Sequence, residues 1–127
     1  MLNILLSILS YDVWFYASHI FLHTYMYSYH AVHHSTDADA LLWSDTYVSH
    51  PAEDAIQSLG MFFPYAFCTY TVAETGIILL LLNVRGMIRH DHRMGWLTRH
   101  HLFHHKYMNY NYGEYWIDCA CGTVYRG

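Results

Sequence analysis

The chain has 127 residues, of which 54% are hydrophobic and only 13% are charged, roughly half the usual charged share. This length fits one domain over residues 1–127, and this composition disfavours a freely soluble globule, so a membrane or a partner is expected to cover part of the surface. The formal net charge of −4 at pH 7 comes without a basic stripe, which argues against nucleic acid as a partner.

The first segment, from Met1 to Phe21, is predicted to be a membrane-spanning helix. It is apolar apart from Asn3, Asp12 and a few Ser and Tyr residues, and at about 1.5 Å per residue it can cross roughly 30 Å of hydrocarbon. A cleaved signal peptide is the alternative, but the segment lacks a basic region and a small-residue cleavage site.

Five histidines follow within the stretch "SHIFLHTYMYSYHAVHH": His19, His23, His30, His33 and His34. At about 100° per residue, all five side chains fall within an arc of roughly 100° if Ser18 to His34 form one helix. The sequence therefore predicts a single helix with one histidine-lined face.

The middle of the chain is predicted to return through the membrane surface. Residues 35–54 are polar and acidic and read as an irregular connection. Residues 55–71 and 76–88 are short apolar segments that suggest a helical hairpin dipping into the bilayer, with Glu74 and Gly76 at its turn. All six basic residues lie at or after Arg85, which marks that side as cytosolic. The predicted fold is an all-α integral membrane helical bundle with about three membrane-embedded segments.

The five histidines form two clusters, His19 with His23 and His30 with His33 and His34. A third cluster contains His101, His104 and His105, which share one helical face and are preceded by His100. A lone histidine on an apolar face is usually a hydrogen-bonded core residue, but eight on two narrow faces could not all find partners and would lower one another's pKa. Metal binding is the better explanation, and so many ring nitrogens exceed the needs of one ion, so two ions are expected. Because the clusters lack a thiolate, oxygen-activating iron is favoured over structural zinc.

The order HxxxH, HxxHH, HxxHH followed by "MNYNYGEY" resembles the sterol desaturase and fatty acid hydroxylase superfamily, whose members are membrane oxygenases with a histidine-bound dimetal centre. The segments "SHPAEDAIQSL", "NVRGMIRHDH" and "HHLFHHKYMNYNYG" are most similar to its sterol C5-desaturase branch. The resemblance covers about Trp14 to Tyr125.

The resemblance implies nine metal ligands, with His50 as a candidate for one more: His19, His23, His30, His33, His34, His90, His101, His104 and His105. Asn109 and Asn111, in the predicted turn beside the third cluster, are expected to orient ligands by hydrogen bonds. His92 and His100 are interpreted as interfacial or supporting imidazoles.

The implied function is O2-dependent hydroxylation or desaturation of a lipid C–H bond, in a sterol or a fatty acyl chain, at two metal ions, iron or else zinc. The sequence contains no P-loop and no GxGxxG motif, so electrons are expected from a separate donor such as cytochrome b5, a ferredoxin or a reductase. The implied location is the endoplasmic reticulum of a eukaryote or the inner membrane of a bacterium, with the metal site facing the cytosol.

Two other functions remain open at this point. A non-catalytic or degenerate histidine-rich membrane protein would hold metal tightly without redox cycling, and a haem-binding helical protein would leave most of the histidines idle. The chain also departs from the family pattern, because it carries less N-terminal membrane helix and because "WID", Trp116 to Asp118, replaces an adjacent Trp-Asp pair.

Overall fold

The computed structural model describes residues 2–127, and within that range the chain is all-helical and contains no β-strand. The predicted all-α class is confirmed. The α-helices are α1 (Leu2–Tyr25), α2 (Tyr27–His30), α3 (Pro51–Phe62), α4 (Val72–Arg89), α5 (Gly95–Tyr107) and α6 (Tyr115–Cys121). Short 3-10 helices occupy His33–Ser35, Trp43–Tyr47, Phe63–Ala66 and His92–Met94.

Helix α1 packs against α3 and α4 and turns its polar residues inward. Ser7, Asp12, Ser18 and His19 are buried, whereas the leucines of the opposite face are exposed. Ser7 donates a hydrogen bond to the Tyr70 hydroxyl (2.8 Å), and Asp12 forms an ion pair with Arg85. Buried polar groups need such partners, so the inner face of α1 is fixed by polar contacts to the later part of the chain.

The prediction of one helix from Ser18 to His34 is wrong, because α1 ends at Tyr25. Met26 has φ −133° and ψ 31°, outside the helical region, and the chain turns there. In a continuous helix, His19 and His30 would lie about 16 Å apart along the axis. The turn instead brings their Nε2 atoms to 2.9 Å.

Two helices, α3 and α4, occupy the segments that were predicted to form a membrane hairpin, and the connection between them lies earlier than expected. Helix α3 is followed by a 3-10 turn, and α4 begins at Val72 because Thr71 and Glu74 form a capping box: the Thr71 hydroxyl accepts from the Glu74 N–H, and the Glu74 carboxylate accepts from the Thr71 N–H. Glu74 and Gly76 are therefore inside the first turns of α4, and the connection occupies residues 67–71.

Of the three membrane-embedded segments predicted, one has the properties of a span in the described part of the chain. Helix α1 is long and apolar enough to cross a membrane. Helix α3 has 12 residues, which rise only about 18 Å, and α4 carries Glu74, Arg85 and Arg89 within its 18 residues.

The buried interior is mainly polar. Among residues 2–127, six hydrophobic side chains are buried (Leu22, Leu41, Ile78, Leu82, Leu102 and Ile117), whereas His19, His30 and His104 are among the most deeply buried residues of that range. The interior of this fold is thus formed by imidazole rings more than by aliphatic side chains.

Candidate metal centre

Nine histidines converge in two adjacent groups. The five-histidine cluster contains His19, His23, His30, His34 and His104, and the four-histidine cluster contains His33, His90, His101 and His105. Within each cluster, one ring nitrogen of every member lies within 4.8 Å of the others. The rings of His34 and His105 are 4.5 Å apart, centroid to centroid, so the two clusters are in contact.

The two clusters do not correspond to the sequence motifs, because the histidines of one motif are shared between both clusters. In the second motif His30 and His34, four residues apart, enter the five-histidine cluster, while His33 enters the other. In the third motif, on α5, His101 and His105 share the four-histidine cluster and His104 turns to the five-histidine cluster. Residues four apart lie on the same side of a helix, which explains why His101 and His105 stay together on α5.

Backbone carbonyls hold the outer nitrogen of four rings. The Nδ1–H groups donate to the carbonyl oxygens of Tyr112 (from His19, 2.5 Å), Tyr110 (from His104, 2.7 Å), Val48 (from His33, 3.0 Å) and Gly86 (from His90, 2.8 Å). A carbonyl can only accept, so the neutral ring must carry its proton on Nδ1 and present a bare lone pair on Nε2. In all four rings that lone pair faces a second histidine.

The pair His33 and His90 shows why two opposed lone pairs require a cation between them. Their Nε2 atoms are 2.9 Å apart, and both tautomers are fixed from outside, so two lone pairs oppose each other. Burial lowers the pKa of His90 to about 3 and also lowers the pKa of His33, so neither ring carries a second proton near pH 7. A cation between the two nitrogens satisfies both.

The nitrogen separations fit shared coordination. Across the two clusters, paired Nε2 atoms lie 2.9 to 3.1 Å apart. Two nitrogens that bind one metal at about 2.1 Å are separated by roughly 2.9 to 3.4 Å. His105 is buried and neither of its ring nitrogens has a hydrogen-bond partner among the described residues, which a metal bond would provide. The donor set therefore fits two metal ions.

A buried carboxylate, Glu53, makes a further outer contact with the five-histidine cluster. Its Oε1 accepts from the Nδ1–H of His30 at 2.9 Å, whereas its buried Oε2 has no hydrogen-bond partner in the described chain. Burial raises the pKa of Glu53 to about 7, although the nearby His33 opposes the shift. A carboxylate on the outer nitrogen of a ligand histidine increases the basicity of the inner nitrogen.

Two candidate residues lie outside the clusters. His50, the candidate tenth ligand, is the N-cap of α3, where its Nδ1 accepts from the Ala52 N–H at 3.1 Å. His92 is exposed and its Nδ1–H donates to the Leu41 carbonyl (2.7 Å). These rings hold backbone segments in place.

The hydrogen bonds of Asn111 differ from those predicted. Its amide donates to the His100 carbonyl (2.9 Å) and accepts from the Tyr125 N–H (2.8 Å), rather than contacting a ring of either cluster. Asn109 is exposed. His100 donates from Nε2 to Asp118 (2.9 Å). The groups that do contact the rings from outside are Glu53 and the carbonyls of Tyr110, Tyr112, Val48 and Gly86.

These outer groups are not recognisable in the sequence, for two different reasons. Glu53 follows the His50-Pro51 pair in an acidic stretch, and its burial is not visible in the sequence. Backbone carbonyls carry no residue-type signal, since any amino acid can supply one.

Two cavities approach the clusters. A cavity of about 240 Å³ is lined by His19, His30, His33 and Glu53. A larger cavity of about 490 Å³ is lined by apolar side chains of α1, α4 and α5 and reaches His101. Arg85 and Arg89 line both cavities, and they form ion pairs with Asp12 and Glu114, respectively.

A comparison with protein-family models matches the fatty acid hydroxylase family over residues 4–123. Comparisons with curated proteins and with solved structures found no significant match. The family match supports the superfamily indicated by the histidine motifs, and it does not single out the sterol C5-desaturase branch.

Proposed function

Because the chain belongs to the fatty acid hydroxylase family, we propose that it is a membrane-bound, O2-dependent oxidoreductase that hydroxylates or desaturates a lipid C–H bond at two histidine-bound iron ions. The observation that carries this proposal is the pair of adjacent clusters in which fixed tautomers direct Nε2 lone pairs toward each other. Burying nine imidazoles in this arrangement without a bound cation would leave ring nitrogens unsatisfied.

The proposed ligands of one ion belong to the five-histidine cluster and those of the other to the four-histidine cluster. Imidazole nitrogen suits iron as well as zinc, and no thiolate contributes to either cluster. Two bound irons would supply the activation of O2 for C–H oxidation, with the electrons coming from the separate donor. Zinc would not activate O2, so the function depends on which metal is bound.

The chain's own residues position the rings of the site. Tyr110, Tyr112, Val48 and Gly86 fix four ring orientations through their carbonyl oxygens. His19 and His104 are themselves almost fully buried, which limits the access of bulk water to these two rings.

The apolar cavity that ends at His101 is the proposed binding site for the lipid. It is lined by Ile8, Leu81, Val84, Ile88 and Leu97. Its two arginines are paired with Asp12 and Glu114, so the lining as a whole favours the apolar part of a substrate over a charged group.

A membrane location is supported by the outward face of α1. Leu2, Leu5, Leu6, Leu9 and Val13 are 41% to 68% exposed, a pattern that suits contact with lipid tails better than contact with water. We propose that α1 is embedded in the bilayer and that the metal centre faces the cytosol, where a separate electron donor such as cytochrome b5, a ferredoxin or a reductase would reach it.

Metal content tests this function first. The detergent-purified protein, grown with iron-57, is examined by mass spectrometry and Mössbauer spectroscopy, together with His104→Ala and the control His92→Ala. We expect about two irons per chain, partial loss in His104→Ala and no loss in His92→Ala, because His92 lies outside both clusters.

The iron-loaded protein is then assayed for O2-dependent oxidation of sterol and fatty acyl substrates with a chemical reductant. Zinc alone, or less than one metal per chain after anaerobic iron loading, would contradict the proposal and support a non-catalytic metal-binding protein.

A further inference from the structure

The loop from Tyr110 to Gly113 connects α5 with α6 and carries two of the carbonyls that contact the five-histidine cluster. The Tyr110 carbonyl accepts from His104, and the Tyr112 carbonyl accepts from His19. A flexible loop could not hold two rings in fixed orientations, so other contacts must fix this loop.

Asp118, at 0% exposure, is the centre of the contacts that hold the loop. Its Oδ1 accepts from the Tyr112 N–H (3.0 Å) and the Thr123 hydroxyl (2.6 Å). Its Oδ2 accepts from the Gly113 N–H (2.9 Å) and from Nε2 of His100 (2.9 Å). Four donors satisfy the buried carboxylate, which offsets the cost of burying its charge.

One peptide unit connects Asp118 to the cluster. The unit between Tyr112 and Gly113 donates its N–H to Asp118 and accepts at its carbonyl oxygen from His19. A carboxylate at the N–H end polarises the peptide and strengthens the carbonyl as an acceptor. A stronger acceptor on Nδ1 fixes the ring and makes the opposite nitrogen a better metal donor.

The carbonyl that contacts His104 is held by the same segment. The peptide unit between Tyr110 and Asn111 donates its N–H to the Thr123 carbonyl (2.9 Å), and the Thr123 N–H donates to the Asp118 carbonyl (2.9 Å). Asn111 has φ 58°, a left-handed conformation that asparagine adopts more readily than most residues. Asp118 and Thr123 together thus fix both carbonyls.

The loop also lies directly against the helix that carries His19. A Cβ atom at Gly113 would lie 3.0 Å from the ring of Tyr16, and the Tyr16 hydroxyl is 3.2 Å from the Thr123 hydroxyl. Any larger residue at position 113 would push the loop from α1 and move the Tyr112 carbonyl with it.

We propose that Asp118 is a positioning residue for the five-histidine cluster, acting on His19 through the Tyr112–Gly113 peptide and on His104 through Thr123. This inference rests on the proposed metal centre and adds a residue of α6, which lies 99 positions along the chain from His19 on α1. The fixed rings of the four-histidine cluster use Val48 and Gly86 instead, so the effect of Asp118 is confined to one of the two metal sites.

The test is Asp118→Asn, because asparagine keeps the size of the side chain but presents an N–H2 group that cannot accept from a peptide N–H. With the protein loaded with Co²⁺, one of the two ions is expected to leave about 10- to 100-fold faster to a chelator, while the other leaves at the wild-type rate. The double variant Asp118→Asn/His105→Ala identifies the remaining ion, since it should lose that one as well.

A second measurement needs no metal. In the metal-free protein, hydrogen exchange in Asp118→Asn is expected to accelerate at whichever of the Tyr112 and Gly113 amides faces the new N–H2 group, since the two amides donate to different oxygens of this side chain. Thr123→Val, which removes one donor and keeps the carboxylate, should show a smaller acceleration and keeps the test available if Asp118→Asn does not fold. Asp12→Asn, a buried aspartate paired with Arg85, controls for general loss of stability.

Equal loss of both ions, or unchanged exchange at the two amides, would overturn the positioning role. A wild-type protein that binds no metal would instead overturn the proposed function, and the exchange measurement would still report whether Asp118 holds the loop.

Discussion

At the level of a single residue, Glu53 orients one histidine of the site and also carries the energetic cost of a buried carboxylate. Its carboxylate receives one hydrogen bond, from His30, and its second oxygen is buried without a partner. Burial favours the neutral form, which is why the pKa of Glu53 rises to about 7. A bound cation nearby would favour the ionised form, so metal binding and ionisation of Glu53 are expected to support each other.

We therefore predict that Glu53→Gln weakens metal binding without unfolding the protein. The Gln amide oxygen can still accept from His30, but it lacks the charge that strengthens the ring as a donor, so affinity at one site should fall about 10-fold. At pH 8 the metal-free variant should be as stable as the wild type or more stable, because a buried negative charge is removed.

Chelator competition and thermal unfolding measure the two effects. Asp54→Asn is the matched control, since this adjacent carboxylate is exposed and receives its hydrogen bond from Ser49. Equal metal affinity in Glu53→Gln and the wild type would show that the carboxylate has no influence on His30.

At the level of elements, the contact between α1 and α3 sets the distance between His19 on one helix and Glu53 on the other. Gly60 in α3 lies against Trp14, whose indole N–H donates to the Ile56 carbonyl at 2.9 Å. A Cβ atom at position 60 would lie 2.4 Å from the Trp14 ring. At this distance the ring or the backbone of α3 would have to move. The absence of a side chain here permits the close approach of the two helices.

Two Gly→Ala substitutions should consequently have opposite effects on stability. Gly60→Ala is expected to lower the melting temperature, because relieving the contact with Trp14 forces α1 and α3 apart. Gly76→Ala, in α4, has nothing within 4 Å of the new Cβ and should stabilise the helix by up to about 1 kcal/mol. Circular dichroism melts in detergent compare the two, and equal shifts would mean that the Trp14 contact does not limit the packing.

At the level of the whole molecule, the interior made of imidazole rings predicts a stability that falls in acid. Burial lowers the pKa of His30 to about 4 and that of His90 to about 3, below the ordinary value near 6.5. As the pH falls through 6.5 toward 4, the unfolded chain takes up protons that the folded chain does not, so the free energy of unfolding decreases. Glu53 acts in the opposite direction between pH 4.5 and 7, but it is one group against several histidines.

The metal-free protein is therefore expected to melt at a lower temperature at pH 5.5 than at pH 7.5, as measured by thermal unfolding in detergent. Metal binding should enlarge the difference, because protons compete with the metal for the same nitrogens. A melting temperature that is equal or higher at pH 5.5 in the metal-free protein would contradict the burial of neutral imidazoles.

The sequence by itself determined the helical class, the apolar first helix and the set of histidines that meet. Helical periodicity and residue type are local properties, and His101 and His105 stay together because they are four residues apart on α5. The Thr71 and Glu74 capping box was equally local, and its pattern could have placed the start of α4 correctly.

Only the tertiary structure decided how the histidines divide between two clusters and what surrounds them. The turn at Met26 and the contact of α5 with distant rings depend on packing between segments far apart in sequence, as in the Nε2 atoms of His23 and His104, which lie 3.1 Å apart across 81 positions. The outer partners could not be predicted for the same reason, because a backbone carbonyl has no sequence signature. The role of Asp118 depends on the packing of α6 against the loop that precedes it.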